Sequence, residues 1–131
     1  MKTFEEIKKF NLFAQILFAV TPDTEKSKFG YAIKKVLTSL TKVFEEYNSE
    51  LDMIRIDHAL SDEKTKAILM APKGEGRQFQ YSKEGLKAVI QAESELVKRW
   101  NIKEFEVEPY LAKEVPELTE EQVEAFIGFV V

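Results

Sequence analysis

The stretch Phe29-Gly-Tyr-Ala-Ile-Lys-Lys-Val-Leu-Thr-Ser-Leu-Thr-Lys-Val-Phe-Glu-Glu-Tyr-Asn-Ser-Glu-Leu-Asp-Met-Ile-Arg-Ile-Asp-His58 decides how this chain is read. Phe29, Ile33, Val36, Leu40, Val43, Tyr47, Leu51, Ile54 and His58 recur at steps of three and four, which keeps one apolar stripe on one side of a helix. Thirty helical residues span about 45 Å at 1.5 Å per residue. A folded body of this chain length is about 35 to 40 Å across, so the helix either bends or makes the molecule elongated. Asn48 and Ser49, two weak helix formers side by side, mark the expected bend.

Working outward, Thr3 and Glu6 form a T-x-x-E capping box ahead of Phe4, Ile7, Phe10, Phe13 or Ala14, Leu17 and Val20, which predicts a first helix over 4–20. Thr21-Pro22-Asp23-Thr24 ends it, because the residue before proline is pushed out of helical geometry. The first helix is expected to fold back antiparallel on the first half of the long one. Lys66 to Pro72 and Arg77 to Tyr81 flank Lys73-Gly74-Glu75-Gly76 and read as a β-hairpin. Ser82 caps a third helix running to Trp100, whose face of Leu86, Val89, Ile90, Leu96, Val97 and Trp100 is interrupted by Glu93. This helix is expected to cover Leu51, Ile54 and His58. Lys103 to Pro109 alternates Phe105 and Val107 with Glu104, Glu106 and Glu108, the pattern of a half-buried strand, and is expected to join the hairpin in a three-stranded sheet. Thr119 and Gln122 open a short final helix carrying Val123, Phe126, Ile127 and Val130. The expected class is α+β: a long central helix in a helical hairpin, a third covering helix, a small antiparallel sheet and a short C-terminal helix.

With 131 residues the chain is the usual size of a single domain, 1–131, and is large enough to bury a core without disulfides or metals. It has no cysteine, which excludes a disulfide framework, Cys-ligated zinc or iron–sulfur clusters, and thiol nucleophiles. The net charge of −4 is unevenly spread. Residues 1–102 carry 17 basic and 15 acidic side chains, whereas residues 103–131 carry two lysines against eight glutamates. No dominant basic patch exists, which argues against nucleic-acid binding. The apolar run Phe10 to Val20 follows Lys8 and Lys9, but Glu5 and Glu6 break the basic region and no small-x-small site follows, so a signal peptide is not expected. The run is also too short for a bilayer, which needs about 20 apolar residues.

No residue pattern carries an established chemistry, so neither catalytic nor metal nor cofactor residues are assigned and no enzyme is expected. His58 has Asp62 one turn on, yet it is the only histidine and closes an apolar stripe at a helix end, where carbonyls welcome it. Lys73-Gly-Glu-Gly-Arg77 lacks the G-x-x-x-x-G-K-[ST] spacing of a phosphate loop. As an exposed hairpin tip it makes Lys73 and Arg77 candidate partner contacts. Phe126 and Phe129 are the corresponding candidates at the C-terminus, where apolar residues exceed one helical stripe and must pack inward or dock.

An apolar first helix and short polar turn come first, then Lys28-Phe-Gly-Tyr-Ala-Ile-Lys-Lys35 leads into a helix containing Glu45-Glu-Tyr-Asn-Ser-Glu-Leu51. The glycine hairpin, Phe79-Gln-Tyr-Ser82, Glu93-Ser-Glu-Leu96 and the glutamate-alternating Lys103 to Pro109 follow. Over nearly the whole chain this order resembles a family of small tailed-bacteriophage proteins of uncharacterised function. The resemblance implies a phage structural, assembly or protein-interaction role, in host cytoplasm or virion, with a protein partner or self-association and no cofactor. The acidic end supplies the alternative, a regulator that inhibits a host nucleic-acid-processing protein.

Overall fold

Thr3 closes the capping box the sequence carries: its hydroxyl accepts from the Glu6 N–H at 3.2 Å while the Glu6 carboxylate accepts from the Thr3 N–H at 3.0 Å. From that start α1 (Phe4–Val20) buries Phe4, Ile7, Phe10, Ala14 and Leu17, one face at helical spacing. The computed structural model describes residues 1–131. Its chain is mostly helical with one small antiparallel sheet, an α+β arrangement, in the order β1 (Lys2–Thr3), α1, α2 (Pro22–Glu25), α3 (Lys28–Ser39), α4 (Thr41–His58), α5 (Lys83–Asn101), β2 (Glu104–Phe105) and α6 (Glu120–Phe126). No helix is long and apolar enough to cross a membrane. Contacts divide the chain into two compact units, one of residues 1–44 and 100–131, the other of residues 45–99.

The long helix does not run unbroken, and its break is at Leu40 rather than at Asn48-Ser49. Leu40 sits at φ −97° and ψ −2°, and its N–H donates back to the Leu37 and Thr38 carbonyls, a tightened last turn. The side chains beside it favour that tightening. The Ser39 hydroxyl donates to the Val36 carbonyl at 2.6 Å and the Thr38 hydroxyl to the Lys34 carbonyl at 2.8 Å, taking up helix acceptors near the break. Asn48 and Ser49 are both exposed and lie within α4, where weak propensity alone does not interrupt the hydrogen-bond ladder.

In the first unit, Ile7, Phe10, Ala14 and Leu17 of α1 meet Phe29, Ala32, Ile33 and Val36 of α3 and Leu40 in one buried cluster. Gly30 lets α2 approach: a Cβ there would collide with the carbonyl oxygens of Thr24 and Glu25. The short sheet also departs from expectation. Lys103 to Pro109 does not extend the hairpin; Glu104 and Phe105 pair with Thr3 and Lys2 at the N-terminus. Phe105 thereby reaches Phe4 and stacks on Trp100, with centroids 5.8 Å apart, and those rings hold the strand where the pattern of alternation alone named no partner.

Beyond α6 the chain reverses at Gly128, whose φ of +79° suits a residue without Cβ. That turn delivers Phe129 onto Phe10, with ring centroids 4.3 Å apart and planes within 6°. Phe126, edge-on to both Phe10 and Phe29, is fully buried beside it.

In the second unit the segments 60–62, 67–71 and 78–80 are joined by isolated bridges at Ser61–Ile68 and Met70–Phe79. Leu69 ties them together: its N–H donates to the Leu60 carbonyl and its carbonyl accepts from the Gln80 N–H. Asp62 folds the first turn by accepting the Lys64 and Thr65 N–H groups at 2.8 and 2.9 Å.

Candidate functional site

On α5, Leu86, Val89, Ile90 and Glu93 stand at i, i+3, i+4 and i+7, so one helical face offers three aliphatic side chains followed by a carboxylate. Arg55 of α4 meets that carboxylate, and the extended segment ending at Tyr81 forms the far wall. Together they enclose a cleft of about 440 Å³ lined by these residues and by Arg77, Gln78 and Tyr81, all within the second unit. The volume lies in the range of pockets that hold a small ligand or a partner's side chains.

The electrostatics of the cleft are set by one bond. Arg55 Nε donates to Glu93 Oε1 at 2.6 Å, a short charge-assisted contact between half-buried side chains. Burial holds the Tyr81 phenol above its ordinary range, an effect partly countered by the Arg55 guanidinium, so at neutral pH Tyr81 offers a neutral hydroxyl. Tyr47, on α4, is likewise raised, by burial first and by the Glu93 charge second. Arg77 completes the set and reaches only Glu75, at 3.7 Å, through side chains that are both more than two-fifths exposed. Such a pair is weakly held.

The Glu93 carboxylate is engaged by the Arg55 guanidinium. The floor of the cleft is open, with Ile90 60% exposed. The cleft presents cationic and phenolic donors at the rim and an aliphatic surface between them.

Of the candidate partner residues, Arg77 lines this cleft, and a second hollow of about 270 Å³ with Pro72, Glu75, Gln80 and Tyr81 adjoins it. Lys73 is exposed at the hairpin tip and lines neither. Phe126 and Phe129 are 0% and 1% exposed, fixed within the first unit's core, and present no surface to a partner. The inward solution was taken because Gly128 turns the chain back on α1.

His58 places Nδ1 2.8 Å from the Ile54 carbonyl, which only accepts, so Nδ1 carries the proton. Asp62, one turn on, is spent on the turn it caps. Its carboxyl is held below the ordinary range by the backbone bonds from Thr65 and Lys64. No three His, Asp or Glu side chains come together in a metal-ligating group. Sequence reasoning assigned no role to Arg55, Glu93 or Tyr81. The available signal was the glutamate interrupting the apolar stripe of α5, a charge that needs a partner when it is brought against another helix. No protein-family model, no curated protein and no solved structure matches the chain.

Proposed function

We propose that this protein is a non-enzymatic interaction or assembly protein whose docking surface is the cleft between the hairpin and α5. The observation that carries this reading is the Arg55–Glu93 bond beneath an open aliphatic floor. The charges suited to catalysis are spent on each other, while Ile90 and Arg77 remain available to a second surface. An exposed apolar patch ringed by arginine and tyrosine is the composition that protein contacts favour. The biological setting, a phage product acting in host cytoplasm or virion, rests on the resemblance in element order alone.

Retention on immobilised chain tests the reading. Wild type and Ile90→Asp, a substitution at a position already 60% exposed, are compared for the proteins they hold, this chain itself included. Wild type is expected to retain a specific protein that Ile90→Asp loses while circular dichroism stays the same. No specific retention, or equal retention by both, contradicts the reading.

A further inference from the structure

Charge is segregated along the chain in a way that matches the cleft to another part of the same molecule. Residues 64–87, the hairpin and the start of α5, carry Lys64, Lys66, Lys73, Arg77, Lys83 and Lys87 against Glu75 and Glu84, a balance of +4. Residues 103–131 carry two lysines against eight glutamates, a balance of −6. Opposite potentials of this kind orient encounters between protein surfaces.

The acidic region also holds an exposed apolar rib. The Tyr110 N–H donates to the Phe129 carbonyl at 2.8 Å and the Ala112 N–H to the Val130 carbonyl at 2.9 Å, anchoring the chain on both sides of Leu111. Leu111 is 65% exposed and Val115 46% exposed. Glu108 and Glu117 are exposed around them, Glu114 meets the Lys28 ammonium at 3.1 Å, and Pro109 and Pro116 restrict the backbone at either end. A loop already held in shape loses little freedom on docking, which favours its use as a contact.

We propose that the 111–117 loop of one copy docks in the cleft of a second copy, its aliphatic side chains on Ile90 and Leu86 and its Glu117 facing Arg77. This inference rests on the reading of the cleft as a docking surface and names its occupant. The surface given differs from the surface received, so the contact is head-to-tail. Repetition then produces a ring if the rotation closes and an open chain if it does not. Salt screens the charged part of the contact and weakens it.

Sedimentation velocity of the full chain decides the matter, at concentrations up to on the order of 100 μM, where contacts of micromolar affinity are populated. Wild type is expected to grow in mass beyond a dimer as concentration rises and to shrink again in about 0.5 M NaCl. Arg77→Glu, which spoils the cleft, and Leu111→Asp, which spoils the loop, are each expected to weaken association at least about tenfold with unchanged circular dichroism. An equimolar mixture of the two stops at a dimer, because one intact loop and one intact cleft remain. A wild type that stays monomeric overturns self-docking. If Ile90→Asp then still abolishes retention of a different protein, the docking role of the cleft stands without it; if nothing is retained, both fail. A mixture that grows beyond a dimer, or forms none, also overturns the head-to-tail contact.

Discussion

Arg55 and Glu93, 38 residues apart in sequence, join α4 to α5 through a single 2.6 Å bond from Nε to Oε1. The bond leaves the two terminal guanidinium nitrogens outside it, so Arg55 still presents donors while its charge is largely balanced. Removing one partner leaves the other half-buried and unpaired, which costs more than the pair contributes. Glu93→Leu is therefore expected to lower stability by about 1–2 kcal/mol in urea denaturation, and Arg55→Met combined with it to recover most of the loss. Additive losses in the double variant would show that the two residues act separately.

Gly30 is expected to tolerate no side chain. A Cβ at this helical position meets the Thr24 and Glu25 carbonyl oxygens of the preceding turn, which are backbone atoms and cannot swing aside. Gly30→Ala gains helix propensity of about 1 kcal/mol but must displace α2. The net outcome is a loss of about 1–3 kcal/mol and a lower Tm, measured by thermal denaturation. A higher Tm would mean that α2 moves freely.

Lys66 is the one residue other than glycine with positive φ, at +63°, in the turn that Asp62 caps. The left-handed region costs an ordinary L-residue about 1 kcal/mol that glycine does not bear. Lys66→Gly is expected to raise stability by up to about 1 kcal/mol, offset in part by the greater freedom of glycine in the unfolded chain. Lys66→Val, β-branched, should lower it, and the order Gly above Lys above Val is the result to look for.

Glu6 ties acid sensitivity to the start of α1. The bond from the Thr3 backbone holds its carboxyl below the ordinary glutamate range, burial opposes this, and the Thr3 hydroxyl and Lys2 assist. A depressed folded-state pKa contributes stability that is fully present above the unfolded pKa of about 4.3 and is lost as pH falls through the lower folded value. Glu6→Gln keeps a capping side chain without the titration. The advantage of wild type over Glu6→Gln at pH 7 is expected to shrink as pH falls below the unfolded value of about 4.3 and to be lost through the lower folded value, as read from urea midpoints across the acid range.

Features decided within one helical turn were legible in the sequence. Thr3 with Glu6 and Thr119 with Gln122 both form the reciprocal boxes their spacing implies, because each involves only residues three apart. The apolar stripe from Phe29 gave the core face of α3, yet it runs unchanged through Leu40, where hydroxyl bonds from Thr38 and Ser39 accompany a break that periodicity does not register. Strand partnership was the harder problem. The alternation around Phe105 says that one face is buried but not that Lys2 lies opposite, about a hundred residues earlier in the chain. The candidate site was legible by halves: Arg77 drew notice as a loop cation, while Arg55 and Glu93 looked like ordinary helix charges until their long-range bond showed them facing each other.

Docking of another protein surface on the cleft around Ile90 is measured directly by a photo-crosslinking side chain placed at position 90. Irradiation of the intact protein in the cells that produce it, followed by mass spectrometry of the adducts, is expected to yield one dominant protein adduct from position 90. The same substitution at Gln91, exposed on the neighbouring helix position and outside the cleft, should yield little. Equal adducts from both positions, or none from position 90, would contradict a docking role for the cleft.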